Sequence, residues 1–297
     1  MSRAERDATV TPVPKIQLSS FDLVVASVGR VSELEQLLAS LDAQTHRAFR
    51  VLLVDQNDDD RLGPTLEQTR SFPITRLRAT RGLSHARNEA LPHLTSDVVA
   101  FPDDDCSYPD DLLERVARRL VERPDLDGVT GRAADPTGAT SDRWPSAASL
   151  LTPNTLWNSA NSHTLFLRRP TVEGAGRFDE SLGLGSGTPW HSGEEIELLV
   201  RALRNGARVE YDPSLVVHHS LRRPTTSELR ALGARDGASV GYILRKHRYP
   251  ARAVARMLVR PLGGIASALT HRDVAAARFH LATLRGRIAG YRAGAPR

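Results

Sequence analysis

Residues 21–28 (FDLVVASV) form a short, nearly unbroken apolar run, and no other segment constrains the fold as tightly. A strand wetted on one face alternates apolar and polar residues, whereas an unbroken run is what a strand buried on both faces requires. Residues 31–41 follow, with Leu34, Leu37, Leu38 and Leu41 at helical spacing and Ser32 as the expected N-cap. Residues 50–54 (RVLLV) read as a second buried strand ending at Asp55. Strand, helix and strand in so short a stretch make a βαβ unit, with parallel strands and a right-handed crossover.

The pattern continues. Residues 74–78 read as a strand, 84–91 as a helix and 98–101 as a buried strand stopped by Pro102. Residues 110–123 (DDLLERVARRLVER) form an amphipathic helix with acid at its start and arginine at its end, matching the helix dipole. Alternating elements of this kind predict an α/β protein with an open, mostly parallel sheet and helices on both faces. Ligands bind such sheets beyond the carboxyl ends of the strands. Three of the expected ends are polar, at residues 27–30, 55–60 and 103–105. Past Gly128 the pattern loosens into loops rich in Gly, Ser, Thr and Pro. A helix is expected again at 193–205, then a short strand at 208–211. From about Thr226 the chain reads as helical pieces broken at Pro250 and at residues 261–264.

Charge divides the chain. The net +5 is the sum of −8 over the first 221 residues and +13 from Arg222 onward. Arg245, Arg248, Arg252, Arg256 and Arg260, interleaved with Val254, Met257, Leu258 and Val259, predict an amphipathic basic helix. Such a helix can lie on anionic lipid or simply present a solvated face. No aromatic and basic platform accompanies it, which argues against nucleic acid as a partner. The opening residues (MSRAERDATVTPVPK) lack the apolar core of a secretory signal, and residues 257–270 are interrupted by Arg260 and Pro261. A spanning helix needs ~20 apolar residues. The single cysteine, Cys106, excludes an intrachain disulfide. The expected location is therefore the cytoplasm, at the inner face of the membrane if the basic tail binds lipid and free of it if the tail is a solvated face.

Three consecutive aspartates, Asp103, Asp104 and Asp105, follow the third buried strand. Adjacent like charges are costly unless something positive lies among them. Asp103 and Asp105 alternate around Asp104, so two carboxylates converge on one point while the third turns away. Hard oxygen ligands of this kind suit Mg²⁺ or Mn²⁺ shared with the phosphates of a substrate. The alternative is a solvated acidic turn before the helix that starts near Tyr108; the position at a buried strand end favours the metal.

Residues 96–105 (SDVVAFPDDD) resemble the strand and DxD motif of family 2 glycosyltransferases of the GT-A fold. Other landmarks fall in that family's order: residues 23–44 resemble its first βα unit and 51–60 (VLLVDQNDDD) its second strand and nucleotide loop. Residues 81–90 (RGLSHARNEA) resemble the segment before the DxD strand, and 178–201 (FDESLGLGSGTPWHSGEEIELLVR) the acceptor loop and catalytic helix. The five pieces cover roughly residues 21–220. They specify a family, not a sugar.

The resemblance implies a GT-A domain over residues 20–225, with a nucleotide-binding half at 20–130 and an acceptor half at 131–225. A mobile segment at 1–19 precedes it and a basic helical extension at 226–297 follows. It implies an inverting transferase that moves a sugar from a UDP-, GDP- or dTDP-linked donor to a glycan or lipid-linked acceptor. Asp103 and Asp105 would hold Mn²⁺ or Mg²⁺ as the ends of DxD. His219, in the segment DPSLVVHHS, would join them, with His218 pointing the other way. Asp55 would bond the base, with Ser27, Arg30 and Gln56 beside it, and Arg87 and Asp104 would touch the nucleotide. Many relatives have Asp or Asn at the position of Gln56 and Gly-Ser at Asn57-Asp58, which leaves the base open. Cys106 stands where a third acid is frequent and reads as a packed side chain.

Inverting transfer needs a base for the acceptor hydroxyl, and a carboxylate in hydrogen-bond reach serves. The resemblance places that role on Glu195, with Glu194 second; the family's usual pair ends in Asp, so Glu195 has one more methylene. Without the resemblance, the two are ordinary acids at a helix N-terminus. The glycine-rich loop 183–192 carries Trp190 and His191, expected to meet the acceptor as part of a lid that orders on donor binding. Two other functions remain open. A sugar nucleotidyltransferase also places acids at strand ends, although Gly29 and Arg30 are a thin phosphate loop for one. A catalytically degenerate nucleotide-sugar-binding protein is the other.

Overall fold

A computed structural model describes residues 19–140, 144–219 and 225–293. Most of the expected N-terminal lead-in, residues 1–18, lies outside the described residues.

Strand β1 (Phe21–Ser27) is the axis of the sheet. Its side chains alternate between two cores, which is why almost all of them are apolar. Leu23 and Val25 face helix α1 (Val31–Asp42), while Val24 joins the core on the other side. Leu34, Leu37, Leu38 and Leu41 of α1 are fully buried, stabilising the layer by roughly 2 kcal/mol each. Ser32 is not the N-cap. The helix starts at Val31 after Arg30, so Ser32 already lies within the first turn, where its hydroxyl donates to Glu33.

Strand β2 (Phe49–Asp55) pairs in parallel with β1, and after the short helix α2 (Gly63–Leu66), β3 (Ile74–Arg78) pairs with β2. The register sets Ser27 opposite Asp55, and Asp55 opposite Arg78, so the strands end level with one another. Helix α3 (Leu83–Ala90) leads to β4 (Val98–Ala100) on the far side of β1. The two-residue β5 (Cys106–Ser107) and helix α4 (Leu112–Glu122) follow, and α4 packs beside α1.

Beyond residue 128, where the sequence pattern loosens, the structure contains strand β6 (Gly128–Ala134), the short β7 (Ser149–Leu150), β8 (Leu165–Arg168) and helix α5 (Arg169–Ala175). Helix α6 (Glu194–Arg204) precedes the long strand β9 (Val209–His219), which extends well past the predicted residues 208–211. The sheet order is β3-β2-β1-β4-β8-β6-β9-β5, with β7 also on β9. Strands β1 to β4 are parallel. Strand β8 runs antiparallel to β4 and β6, and β5 and β7 run antiparallel to β9, so the sheet as a whole is mixed. Gly131 marks an irregularity where β6 meets β9; a Cβ there would fall 2.1 Å from the carbonyl oxygen of Leu215. This curled mixed sheet with flanking helices is the GT-A arrangement.

The tail forms three helices, α7 (Thr226–Lys246), α8 (Ala251–Thr270) and α9 (Val274–Ala293). Thr225 and Glu228 close a capping box at the start of α7. The break near Pro250 is present, but the one expected at residues 261–264 is not: α8 runs through Pro261. Proline removes the hydrogen bond to the carbonyl four residues back. That carbonyl, Met257, instead accepts from the Arg287 guanidinium of α9. The five arginines from 245 to 260 therefore belong to two helices and the turn between them, not to one. Helices α7 and α9 touch backbone to backbone, since a Cβ on Gly241 would lie 2.1 Å from the Arg287 carbonyl. Among the described residues no helix is long and apolar enough to cross a membrane.

Candidate active site

A cleft of about 760 Å³ opens at the carboxyl ends of β1, β2 and β4. Ala26, Arg30 and Gln56 line it from the first two strands, Asp103 to Asp105 from the third, and Gly193 to Glu195 from the start of α6. Residues 81–83, the loop at 184–185, His191, Ser162 and His219 complete most of the wall.

The three aspartates diverge. Asp104 is buried and accepts from Ser27 Oγ at 2.7 Å and Arg30 Nη1 at 2.9 Å, which fixes it to the end of β1. Burial raises its pKa despite the Arg30 charge. Asp103 meets His163 Nδ1 at 2.9 Å and accepts from Ser162 Oγ at 3.2 Å and Arg87 Nη2 at 3.4 Å. Burial opposes its ionisation, but His163, Arg87 and His219 outweigh that and hold its carboxyl below the usual range. Asp105 lies 3.2 Å from His219 Nε2 and 2.5 Å from Arg30 Nη1, and its pKa is lowered, with burial again opposed by these two partners.

Backbone pairing explains how residues so distant in sequence meet. Strand β5 pairs Cys106 with His219, so the histidine is set beside the acidic run. His163 occupies the 3-10 turn Ser162–Thr164 just before β8, the neighbour of β4. The two imidazoles stack with centroids 4.8 Å apart. Asp103, His163 and His219 each bring one ligand atom within 4.8 Å of the others. His163 is buried, and its Nε2 has no hydrogen-bond partner among the described residues. Of the predicted metal set, Asp103 and His219 lie in this group and Asp105 touches it through His219. His163 is an addition that sequence reasoning missed. Its only signal was a histidine before the apolar residues 165–167, in a stretch read as loop. His218 pairs with Ser107 on the adjacent register position and does not line the cleft. Cys106 is buried, and burial pushes its thiol well above the ordinary value, so it is a packed side chain.

Helix α6 is capped by the preceding Gly193, whose φ of 84° favours glycine. Glu194 turns inward and accepts from Arg87 Nη1 at 2.8 Å. Arg87 is no surface residue. It is buried between Glu194 and Asp103, against the rings of Phe101 and Phe178. Its α3 neighbour Asn88 also faces inward, bonding both backbone groups of Phe178. Glu195 points to the cleft and makes no ion pair or hydrogen bond to another described residue. Burial, then the neighbouring Glu194 charge, pushes its pKa up to about 8.

Other predicted contacts are arranged differently. Asp55 is buried outside the cleft lining, with both oxygens engaged by the Asn57 amide and side chain and by Arg76. Gln56 does line the cleft, and its Oε1 accepts from the Gly82 amide at 2.8 Å. Trp190 stacks on Tyr242 of α7, centroids 4.1 Å apart, and so pins the loop to that helix. His191 alone of the predicted acceptor pair borders the cleft. The sequence also gave no sign that α7 reaches the site, where Leu232 and Arg235 form part of the wall. A buried charge network holds α7 there: Glu197 of α6 accepts from Arg201, Lys246 and His247, and Lys246 also reaches Asp179.

The family model for glycosyl transferase family 2 matches residues 22–178. The pre-mycofactocin glycosyltransferase of Mycobacterium tuberculosis is 27% identical over 243 residues, covering 75% of this chain and 48% of that protein. The chain spans less than half the length of the curated relatives it matches. Among solved structures, residues 1–349 of S. aureus TarS in complex with UDP-GlcNAc superpose with a TM-score of 0.60 at 16% identity, covering 87% of this chain and 89% of that one. The mannosyltransferase PcManGT of Pyrobaculum calidifontis, in complex with GDP-Man and Mn²⁺, gives 0.61 at 16% identity, with coverage of 96% and 91%. These likenesses establish a shared fold.

Proposed function

The chain belongs to glycosyl transferase family 2, and on that premise we propose that it transfers a glycosyl group from a nucleoside diphosphate sugar to an acceptor hydroxyl, with inversion at the anomeric carbon. One observation carries this reading. Glu195, a carboxylate with no ion pair or hydrogen bond to another described residue, opens into the same cleft as Asp103, Asp105 and His219.

Glu195 takes the proton of the acceptor hydroxyl as its oxygen bonds to the anomeric carbon. The bond from that carbon to the diphosphate breaks, and the nucleoside diphosphate leaves with the electron pair. A raised pKa suits a base working near neutrality, because proton transfer to it is more favourable than to an ordinary carboxylate. Arg87 and Glu194 hold the start of α6 against the aspartate loop and so set where Glu195 stands. Arg30, already on Asp104 and Asp105, offers the donor's phosphates a cation.

The donor set fits a divalent cation: a carboxylate and two imidazoles converge, and one buried imidazole nitrogen lacks a partner among the described residues. Asp103, Asp105, His163 and His219 would hold it, and the mixed oxygen and nitrogen set suits Mn²⁺ better than Mg²⁺. When bound, such an ion neutralises diphosphate charge. The donor class is supported by UDP-GlcNAc and GDP-Man in the structural neighbours. For the acceptor, an alcohol on a glycan or lipid-linked intermediate is proposed.

The test is direct. The full chain is incubated with UDP-, GDP- and dTDP-sugars with and without Mn²⁺, and nucleotide release is followed. Nucleoside diphosphate release by the wild type and its loss in Glu195→Gln are expected. Pyrophosphate release from a nucleoside triphosphate and sugar phosphate would instead identify a nucleotidyltransferase.

A further inference from the structure

We propose that the α8–α9 hairpin docks on the surface of an anionic phospholipid bilayer, with α8 lying in the headgroup layer and its outward apolar stripe turned toward the acyl chains. This goes beyond the transfer reaction and does not depend on it.

The stripe comes first. Val254, Met257, Pro261 and Ala268 turn α8 into the protein. On another side Ala255, Val259, Leu262, Ala266 and Leu269 recur at alternating intervals of four and three residues, and all five are exposed. Val259 is 59% exposed and Leu269 62%. Of the nine large hydrophobics exposed among the described residues, five lie between 259 and 281, on these two helices. Scattered exposed apolar residues are ordinary, but a row on one helix marks a contact surface.

The charges identify the partner. Residues 245–293 contain eleven Lys and Arg against one acid, Asp273. By helical geometry Arg252, Arg256 and Arg260 run along one edge of the stripe. Elsewhere arginines such as Arg70, Arg87 and Arg201 are paired with carboxylates. Arg252, Arg256, Arg272, Arg278 and Arg285 have no carboxylate partner among the described residues. Guanidinium groups bordering an apolar row match lipid phosphates bordering acyl chains, the arginine stems lying along the apolar layer while the heads reach the phosphates.

Other occupants fit less well. A second copy meeting through this face would press two strongly basic surfaces together. Nucleic acid would satisfy the arginines but leave the valine and leucine row in water. Among the described residues no helix is long and apolar enough to span, so the proposed contact is one in which the hairpin lies on the bilayer.

The experiment is cosedimentation of the full chain with vesicles of phosphatidylcholine alone or mixed with phosphatidylglycerol. The wild type should pellet with the mixed vesicles, release at high salt, and stay in solution with phosphatidylcholine. Val259→Glu/Leu262→Glu should lose at least about tenfold in partitioning while keeping its circular dichroism and melting temperature, because both side chains are exposed. Arg252→Glu/Arg256→Glu should lose a comparable factor. Three results would each overturn the proposal: wild type that ignores the mixed vesicles; a Val259→Glu/Leu262→Glu variant that pellets like wild type, the behaviour of a simple polyanion binder; or a wild-type dimer that this variant dissociates without lipid. None of these readings involves turnover, so a chain that bound vesicles but released no nucleotide would leave this inference standing and sink the proposed function.

Discussion

Arg87 donates to Glu194 at 2.8 Å with both side chains sealed from water, joining α3 to the first residue of α6. A buried pair of this kind contributes through what happens when it is broken, since the partner left behind is a desolvated charge.

Arg87→Met is therefore expected to destabilise the fold by about 3–5 kcal/mol, read as a fall in denaturation midpoint. Arg87→Met/Glu194→Gln should recover part of that loss. A double variant no more stable than the single would show that Arg87 contributes through its packing on Phe101 and Phe178 instead.

Glu195→Gln should lower kcat by about 10²–10⁴-fold while leaving donor binding by calorimetry within a factor of about three, as expected for a proton acceptor that does not hold the donor. Glu194→Gln should behave differently, losing stability as well as rate, because Arg87 then lacks its partner.

The pH dependence follows from the sign of the Glu195 shift. In its proposed role as base Glu195 works when ionised, so kcat/KM should rise with pH and level off above about 8. Stability runs the other way. The folded chain holds this proton more tightly than the unfolded chain, so between the ordinary carboxylate range and about 8 stability should fall as pH rises. Glu195→Gln should flatten both slopes.

Glu197 predicts the opposite trend at acid pH. Hydrogen bonds from His247, Arg201 and Lys246 overcome the cost of burial and lower its pKa to about 2. The stability this supplies is present above the ordinary carboxylate range and is lost as pH falls toward about 2. Acid titration of Glu197→Gln, followed by circular dichroism, should show a lower starting stability and a weaker acid transition than wild type.

His163→Ala should weaken Mn²⁺ binding by about 10–100-fold in calorimetry, as loss of a ligand or of its nearest support does. Equal affinity in the variant would remove His163 from the metal set and leave it to orient Asp103 alone.

The first half of the fold was legible because β1, β2 and β4 are buried on both faces and therefore written as apolar runs, of which residues 21–28 are the plainest. The second half was not. Strand β6 (GVTGRAA) includes Gly131, required by its close approach to Leu215, and two alanines, so it lacks a strand's usual composition. In the site, Asp103, Asp105, Glu194 and Glu195 stood out as runs of like charge. His163 did not, because a lone histidine acquires its neighbours only when β8 is laid beside β4. Asp55 could be placed at a strand end but not given its partners, since Arg76 and Arg78 arrive from the adjacent strand.

Helix α7 supplies Leu232 and Arg235 to the cleft and Tyr242 to the stack beneath Trp190. A border drawn at residue 225, where composition changes, thus leaves part of the cleft wall on its far side. A shortened chain ending there would lose one side of the cleft and the floor beneath the glycine loop. Any swap of this segment between relatives must carry the last helices along with the sheet they complete.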